Sequence, residues 1–519
     1  MKYSDDLYQL IKSMTKQERS YFKKFALTFS DEESSNYIKL FDEIQIQSAS
    51  GDEYDESKIK GKEFKGKFLK NFSYHKNYLY RMILNSLMIY NKENYDIIIL
   101  RNLITKFELL FDKNLYSQCR KVLLKAKEIA EKKENYSILY ELLIKEKHLN
   151  KFTLTISEFS AENKIITKKL DQAVNLMQNT IEYINLNDQF MIKAYSIGSA
   201  FCRHEKELEE INKFFENEFL KDDTKAITFR SKNLLFGLKA HHALMKKDFE
   251  CMYKYNKLLI ELWEKKLDNF KERIENYFIA QINLMNSQIR LRRFKEFDQT
   301  TEKVKNLDKI FAKNMTERRK TFLFYSISVL TLSKYFAAHE FGKLERNTEE
   351  VENSMAVYEY KITLQQRIIL YYFLGLYNFV FTKYEKCIYW MEKIISSEKS
   401  DFSENYQCFA RILHLLSYFE LEYYDSLEYS LKSTYHFLKK KDRVFKYENI
   451  VLKYLRKSFR LKTSAELIEM LKEMKDEINN IAEDDFEQNA LDIFDISQWI
   501  DSKIQNKSLI EILVKQISK

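Results

Sequence analysis

Proline is absent from all 519 residues, and glycine occurs seven times. At a usual proline usage of about 5 %, some two dozen would be expected. Proline removes a helix hydrogen bond and collides with the preceding turn, and glycine raises the cost of ordering the backbone. Strand-rich folds need both residues at their turns. Their scarcity excludes a hairpin-built sandwich or barrel and predicts many helices joined by short polar turns. Cysteine is sparse too: Cys119, Cys202, Cys251, Cys387 and Cys408 are odd in number and widely spaced. This set does not make a disulfide framework; it suits small apolar core positions and a reducing, cytoplasmic setting. No apolar run reaches the roughly 20 residues a bilayer demands. The longest, from Ile368 to Phe381, is interrupted by Asn378. The first ten residues carry Asp5 and Asp6 without an apolar stretch, so no targeting segment is expected.

What the chain has in abundance is apolar and aromatic surface, at 45 % and 15 % of residues. That is enough to offset ordering entropy, which excludes a disordered polar protein. The aromatics recur in one pattern. A helix ends in a short polar turn, an aromatic follows, and apolar or small residues return three and then four positions later. Examples are Tyr116 with Cys119, Leu123 and Ala126; Phe249 with Met252 and Leu259; and Phe294 with Phe297 and Val304. Tyr384 with Cys387, Met391 and Ile394 is the clearest, and Phe341 with Leu344 and Tyr424 with Leu427 and Leu431 are weaker. Residues three and four apart share a helix face. Phe249, Phe294, Phe341, Tyr384 and Tyr424 stand 45, 47, 43 and 40 residues apart. A fixed period in this range marks a helical repeat array. The 133 residues between Tyr116 and Phe249 then predict two further hairpins, near residues 160 and 205.

Tyr371, Leu374, Gly375, Tyr384 and Cys387 stand in a register that resembles the tetratricopeptide repeat, with cysteine in place of the usual alanine. The resemblance covers roughly residues 96–440. It departs in a longer period and in the missing closing proline. It implies an α-solenoid of stacked antiparallel helical hairpins, whose inner helices hold a partner's peptide through Lys, Arg and Asn. Arg367 and Asn378 are the candidate partner contacts on that basis. The opening Ser13–Ala26 also looks similar to that of uncharacterised bacterial helical-repeat proteins.

The two ends differ from the middle, which divides the chain into an N-terminal helical module (1–95), repeats (96–462) and an acidic helical cap (463–519). Capping boxes at Thr15–Glu18 and Thr463–Glu466 open helices near each end. A repeat array needs such caps, because its terminal faces are otherwise exposed. Charge is uneven although the net value is only +9. Eight basic residues, Lys58, Lys60, Lys62, Lys65, Lys67, Lys70, Lys76 and Arg81, stand against Glu63. A second basic run, Lys432 to Lys462, includes Lys439, Lys440, Lys441 and Arg443, and it precedes twelve acidic residues between Ser464 and Asp501. With Phe64, Phe68, Tyr74 and Tyr78 interleaved, the first cluster suits a phosphate backbone and stacked bases. Solvated helix faces, and pairing with the acidic cap, are alternative readings of the same residues.

Sites for chemistry are not apparent. Gly61–Lys67 has the spacing of a phosphate-binding loop, but Phe68 stands where magnesium needs Ser or Thr, and no strand precedes it. The eight histidines form no zinc-ligand spacing, and His241 and His242 point about 100° apart on a helix. No nucleophile elbow or dinucleotide fingerprint occurs. The expectation is a non-enzymatic interaction scaffold without metal or cofactor, binding a peptide or partner protein. The alternative is a nucleic-acid-associated regulator that uses the N-terminal basic module.

Overall fold

The computed structural model describes the chain except for residues 1–4, 29–31, 50–53, 61–63, 65, 93–94, 198–201, 203–204, 270–273, 311–315, 398–403, 441–445, 482–493 and 516–519. Within helices it leaves out the side chains of residues 32–35, 66–67, 195–197, 268, 308–310, 404–405 and 440. The described residues contain helices and no strand, and consecutive helices pack on one another. Two compact units result, Met1–Val174 and Asn175–Lys519.

The first unit begins with α1 (Asp6–Ser13), α2 (Lys16–Ala26), α3 (Glu32–Ala49), α4 (Glu56–Lys60), α5 (Gly66–Lys70) and α6 (Phe72–Tyr90). Thr15 and Glu18 close the capping box of α2, each bonding the other's backbone N–H. Leu7, Ile11, Phe22, Phe41, Ile44, Phe64, Phe68 and Leu79 make one core. A helical hairpin follows, α7 (Asp96–Phe111) with α8 (Tyr116–Lys132), then α9 (Tyr136–Thr153). The boundary between the units falls inside α10 (Ile156–Ile197).

That 42-residue helix corrects one expectation. A turn does stand at Leu154 and Thr155, where Thr155 and Glu158 cap the start of α10, but α9 and α10 do not pack as a close hairpin, and no glycine or left-handed residue interrupts α10 afterwards. Near residue 205 lies the start of a short helix, α11 (Glu205–Phe214), followed by α12 (Glu218–Lys221).

The rest of the second unit is a series of hairpins: α13 (Phe229–Met245) with α14 (Phe249–Glu264), α15 (Ile274–Arg290) with α16 (Phe294–Ile310), and α17 (Glu317–Ala337) with α18 (Phe341–Tyr358). Then come α19 (Leu364–Val380) with α20 (Tyr384–Ile395), α21 (Glu404–Glu420) with α22 (Tyr424–Lys440), and α23 (Lys446–Ser458) with α24 (Ser464–Ile481). Two short helices, α25 (Ile496–Gln505) and α26 (Leu509–Lys515), follow.

Every turn aromatic singled out by spacing is the first residue of a second helix. Their partners three, seven or more positions on are buried: Cys119, Met252, Phe297, Val304, Leu344, Cys387, Met391, Leu427 and Leu431. The turns share one geometry. The residue two before the aromatic is left-handed: Asn114, Lys247, Arg292, His339, Thr382 and Glu422 have φ between 54° and 59°. The next N–H then reaches back to the carbonyl five residues earlier, as from Arg293 to Gln288 (2.8 Å), Glu340 to Tyr335 (2.9 Å) and Lys383 to Asn378 (2.8 Å). This closure satisfies carbonyls that a helix end leaves open. Glycine usually takes the left-handed position; none of these six is glycine.

Candidate binding groove

First helices of successive hairpins mostly lie against each other: α15 on α17, α17 on α19, and α19 on α21. Between α13 and α15 backbone contact is marginal, and a groove of about 590 Å³ opens there. Its walls are Arg230, Asn233, Leu234 and Gly237 of α13 and Asn276, Ile279, Ala280 and Asn283 of α15, with Asn187 of α10 beside them. Leu259 and Trp263 of α14 also line it.

Helical spacing explains the walls. Arg230, Asn233 and Gly237 stand at i, i+3 and i+7, and so do Asn276, Ile279 and Asn283, so each trio shares one face. The opposite faces are spent on the core through Leu235 and Leu238, and through Tyr277, Phe278 and Met285. Thr228 sets the start of α13 with a capping box closed by Ser231. The Trp263 indole N–H donates to Asn233 Oδ1 at 2.7 Å. That bond orients the carboxamide and leaves its NH₂ as a donor. The Asn256 amide donates to the Asn283 main-chain carbonyl at 3.1 Å, tying α15 to α14 without using the Asn283 side chain. Among the described residues, the side chains of Asn187, Arg230, Asn276 and Asn283 have no hydrogen-bond or ion-pair partner. No carboxylate among the described residues lines the groove, and Arg230 is the one charged side chain there.

Two other hollows are less suited to hold a ligand. One of about 720 Å³ is lined by α16 alone, through Asp298 to Leu307, so it has a single wall. Another, of about 220 Å³, brings His242, Asp248 and Cys251 together, residue types that nucleophilic catalysis uses. Here His242 Nε2 is 2.8 Å from Asn212 Oδ1, and its ring stacks on Phe215 at 3.9 Å. Burial and Lys246 push His242 down to about 4. Burial, then Asp248, pushes the Cys251 thiol up, away from the thiolate that reacts. No group of His, Cys, Asp or Glu among the described residues could hold a metal ion, and no helix there is long and apolar enough to cross a membrane.

The residues singled out from sequence lie elsewhere. Asn378 is 2 % exposed, and its amide donates to Glu352 Oε1 (2.6 Å) and the Leu374 carbonyl (2.8 Å). It joins α19 to α18 of the preceding hairpin, with its amide hydrogens spent inside the protein. Its acceptor is a hub: Glu352 also receives Lys386 Nζ (2.8 Å) and the Trp390 indole N–H (3.0 Å). Burial would push this carboxyl up; the Lys386, Trp390 and Asn378 hydrogen bonds outweigh it and hold it below the ordinary range. Arg367 is half-buried near the start of α19; burial would raise the nearby Glu359 carboxyl, but Lys393 and Tyr371, with a smaller share from Arg367, hold it low. Glu359 accepts from Lys393 Nζ (2.6 Å) and the Tyr371 hydroxyl (2.5 Å).

In the first basic cluster Lys58 and Lys70 are exposed, and Lys60 pairs with Glu56 at 2.6 Å, as Lys76 does at 2.5 Å. Lys62 and Lys65, and the Lys67 side chain, lie outside the described residues. Phe64 and Phe68 are buried, Phe68 stacking on His75 at 3.9 Å, whereas Tyr74 and Tyr78 are exposed. In the second cluster Lys439 is exposed; the Lys440 side chain, Lys441 and Arg443 lie outside the described residues. Farther along that run, Lys453 pairs with Glu477 at 2.5 Å and Lys457 with Glu473, both carboxylates on α24. Part of the basic run is therefore neutralised by the acidic segment that follows it.

Comparison with known proteins adds no assignment: no protein-family model, curated protein or solved structure matches the chain. The groove is argued from its own chemistry.

Proposed function

We propose that this chain is a non-enzymatic binding module that holds an extended peptide segment of a partner protein in the groove between α13 and α15. The observation that carries this reading is the set of carboxamides on the two walls. An asparagine side chain offers one acceptor and two donors, the complement of a peptide unit's N–H and C=O. An extended segment has its backbone groups unsatisfied and needs such partners. Described walls that carry one guanidinium, no carboxylate and the apolar side chains of Leu234 and Ile279 suit a peptide better than a polyanion, which needs several cations. The tetratricopeptide likeness is consistent with this, since repeats of that kind hold peptides along their first helices.

The test removes carboxamides that the fold does not use. Asn276 and Asn283 are exposed, so the pair Asn276→Ala/Asn283→Ala should fold normally. The full chain, immobilised, is offered a pool of random heptapeptides, and the retained species are read by mass spectrometry. Each hydrogen bond is worth about 1 kcal/mol, so losing both should weaken retention by about thirty-fold. Equal retention by wild type and variant would end the reading.

A further inference from the structure

Gly237 is unusual among the wall residues. It sits mid-helix, where glycine costs about 1 kcal/mol relative to alanine. A Cβ placed on it would meet no atom within 4 Å. Gly375 in α19 is the contrast: a Cβ there would come 2.1 Å from Met391 Cε, so close helix packing accounts for it. No such packing accounts for Gly237. The residues lining the groove with it include the apolar Leu234, Leu259, Trp263, Ile279 and Ala280. Asn233 stands one turn before it on the same face, with its carboxamide fixed by Trp263. The groove thus combines backbone-holding groups with a space beside Leu234 and Ile279 that no described side chain fills.

We infer that Gly237 is the specificity-determining position of the groove, leaving room for one bulky apolar side chain of the bound peptide. This rests on the peptide reading above and adds to it which residue type the peptide must carry. The ligand class is an extended peptide with a Leu, Ile, Met or Phe side chain seated over Gly237 while its flanking backbone meets the asparagines. Filling an apolar pocket typically separates ligands by ten-fold or more.

The experiment uses two pools of heptapeptides, N-acetylated and C-terminally amidated, without charged residues. One pool is built from Gly, Ala, Ser, Thr, Asn and Gln; the other adds Leu, Ile, Met and Phe. Each is offered to the full-length wild type, to Gly237→Leu and to Asn276→Ala/Asn283→Ala. Wild type should retain the bulky pool about ten-fold better than the small pool. Gly237→Leu, which occupies the space from the protein side, should lose that preference while still retaining the small pool. Its melting temperature should equal or exceed that of wild type; a clear fall would show that the space is not open, and would overturn the inference. A ten-fold preference that survives Gly237→Leu, or wild-type retention without preference, overturns the inference and leaves the peptide reading standing. Retention of neither pool above the double-asparagine variant overturns both.

Discussion

The α13–α15 and α19–α21 regions are built from the same hairpin and the same left-handed turn, yet one is open and the other closed. In the closed region α19 lies directly on α21. Tyr372 meets Tyr406 at 5.3 Å and Phe409 at 6.4 Å, and almost every residue from Leu370 to Val380 is buried. Counted back from the shared turn, α19 has Ile368, Ile369 and Tyr372 where α13 has Asn233, Leu234 and Gly237. Aromatic rings bury large areas and pull helices together; a carboxamide already bonded to Trp263 and a glycine do not. The difference teaches that the hairpin frame is indifferent to what fills the space between first helices, and that the side chains there decide whether a repeat is structural or available.

The comparison can be broken or sharpened by substitution. The largest effect is expected at the closed region's hub: Glu352→Ala leaves the Trp390, Asn378 and Lys386 donors without their acceptor and should cost about 4 kcal/mol in urea unfolding. A loss under 1 kcal/mol would mean that these donors find water. Next comes acid. Burial and Arg411 push His414 down to about 4, even though the exposed Glu392 carboxylate lies 3.7 Å from its Nε2. The lowered value means that the unfolded chain binds the proton first, near its ordinary pKa of about 6.5. Stability from neutral His414 is therefore complete above that pH and lost as pH falls toward 4, on the order of 3 kcal/mol in all. Thermal melts at pH 7.5 and 4.5 should show a smaller drop for His414→Phe than for wild type. His242→Phe, at a less buried site in the open region, should narrow the drop less.

Glycine separates the two regions more directly. Gly375→Leu forces a side chain against Met391 and should destabilise by about 2 kcal/mol, whereas Gly237→Leu should stabilise by a few tenths to about 1 kcal/mol through helix propensity. Equal signs in denaturant titrations would erase the contrast. Smallest is the turn: Thr382, β-branched at φ 58°, and Lys247 at φ 57° are strained alike. Thr382→Gly and Lys247→Gly should each add up to about 1 kcal/mol. A gain in one hairpin alone would show that the shared turn is not equivalent.

The frame was legible in the sequence because its signals are local and periodic. The aromatic that opens each second helix, with small or apolar residues at i+3 and i+7, fixes both the turn and the buried face, as at Tyr384, Cys387 and Met391. The same habit misled between Tyr116 and Phe249, where spacing predicted two hairpins and α10 instead runs on from Thr155 as one long helix. The groove was not legible. Asn187, Asn233, Asn276 and Asn283 come from three helices, and no local motif links them. Asn276, Ile279 and Asn283 form a stripe that helical spacing could have revealed, but exposure separates such a stripe from the braced Asn378 only once the packing is known. Asn378 drew attention by interrupting an apolar run, and that run is buried on nearly all sides.

The chain's three tryptophans, Trp263, Trp390 and Trp499, each donate the indole N–H to one side-chain oxygen, on Asn233, Glu352 and Glu420 respectively. Each therefore acts as an optical probe of its own neighbourhood: the groove, the closed hairpins and the C-terminal helices. Ligand entry at the groove should perturb the emission of Trp263 and leave the other two quiet. The first unit, having none, is silent in tryptophan fluorescence but visible in far-ultraviolet dichroism. In a single melting sample tryptophan emission thus follows the second unit alone and dichroism follows both, so a dichroism change without an emission change belongs to the first unit.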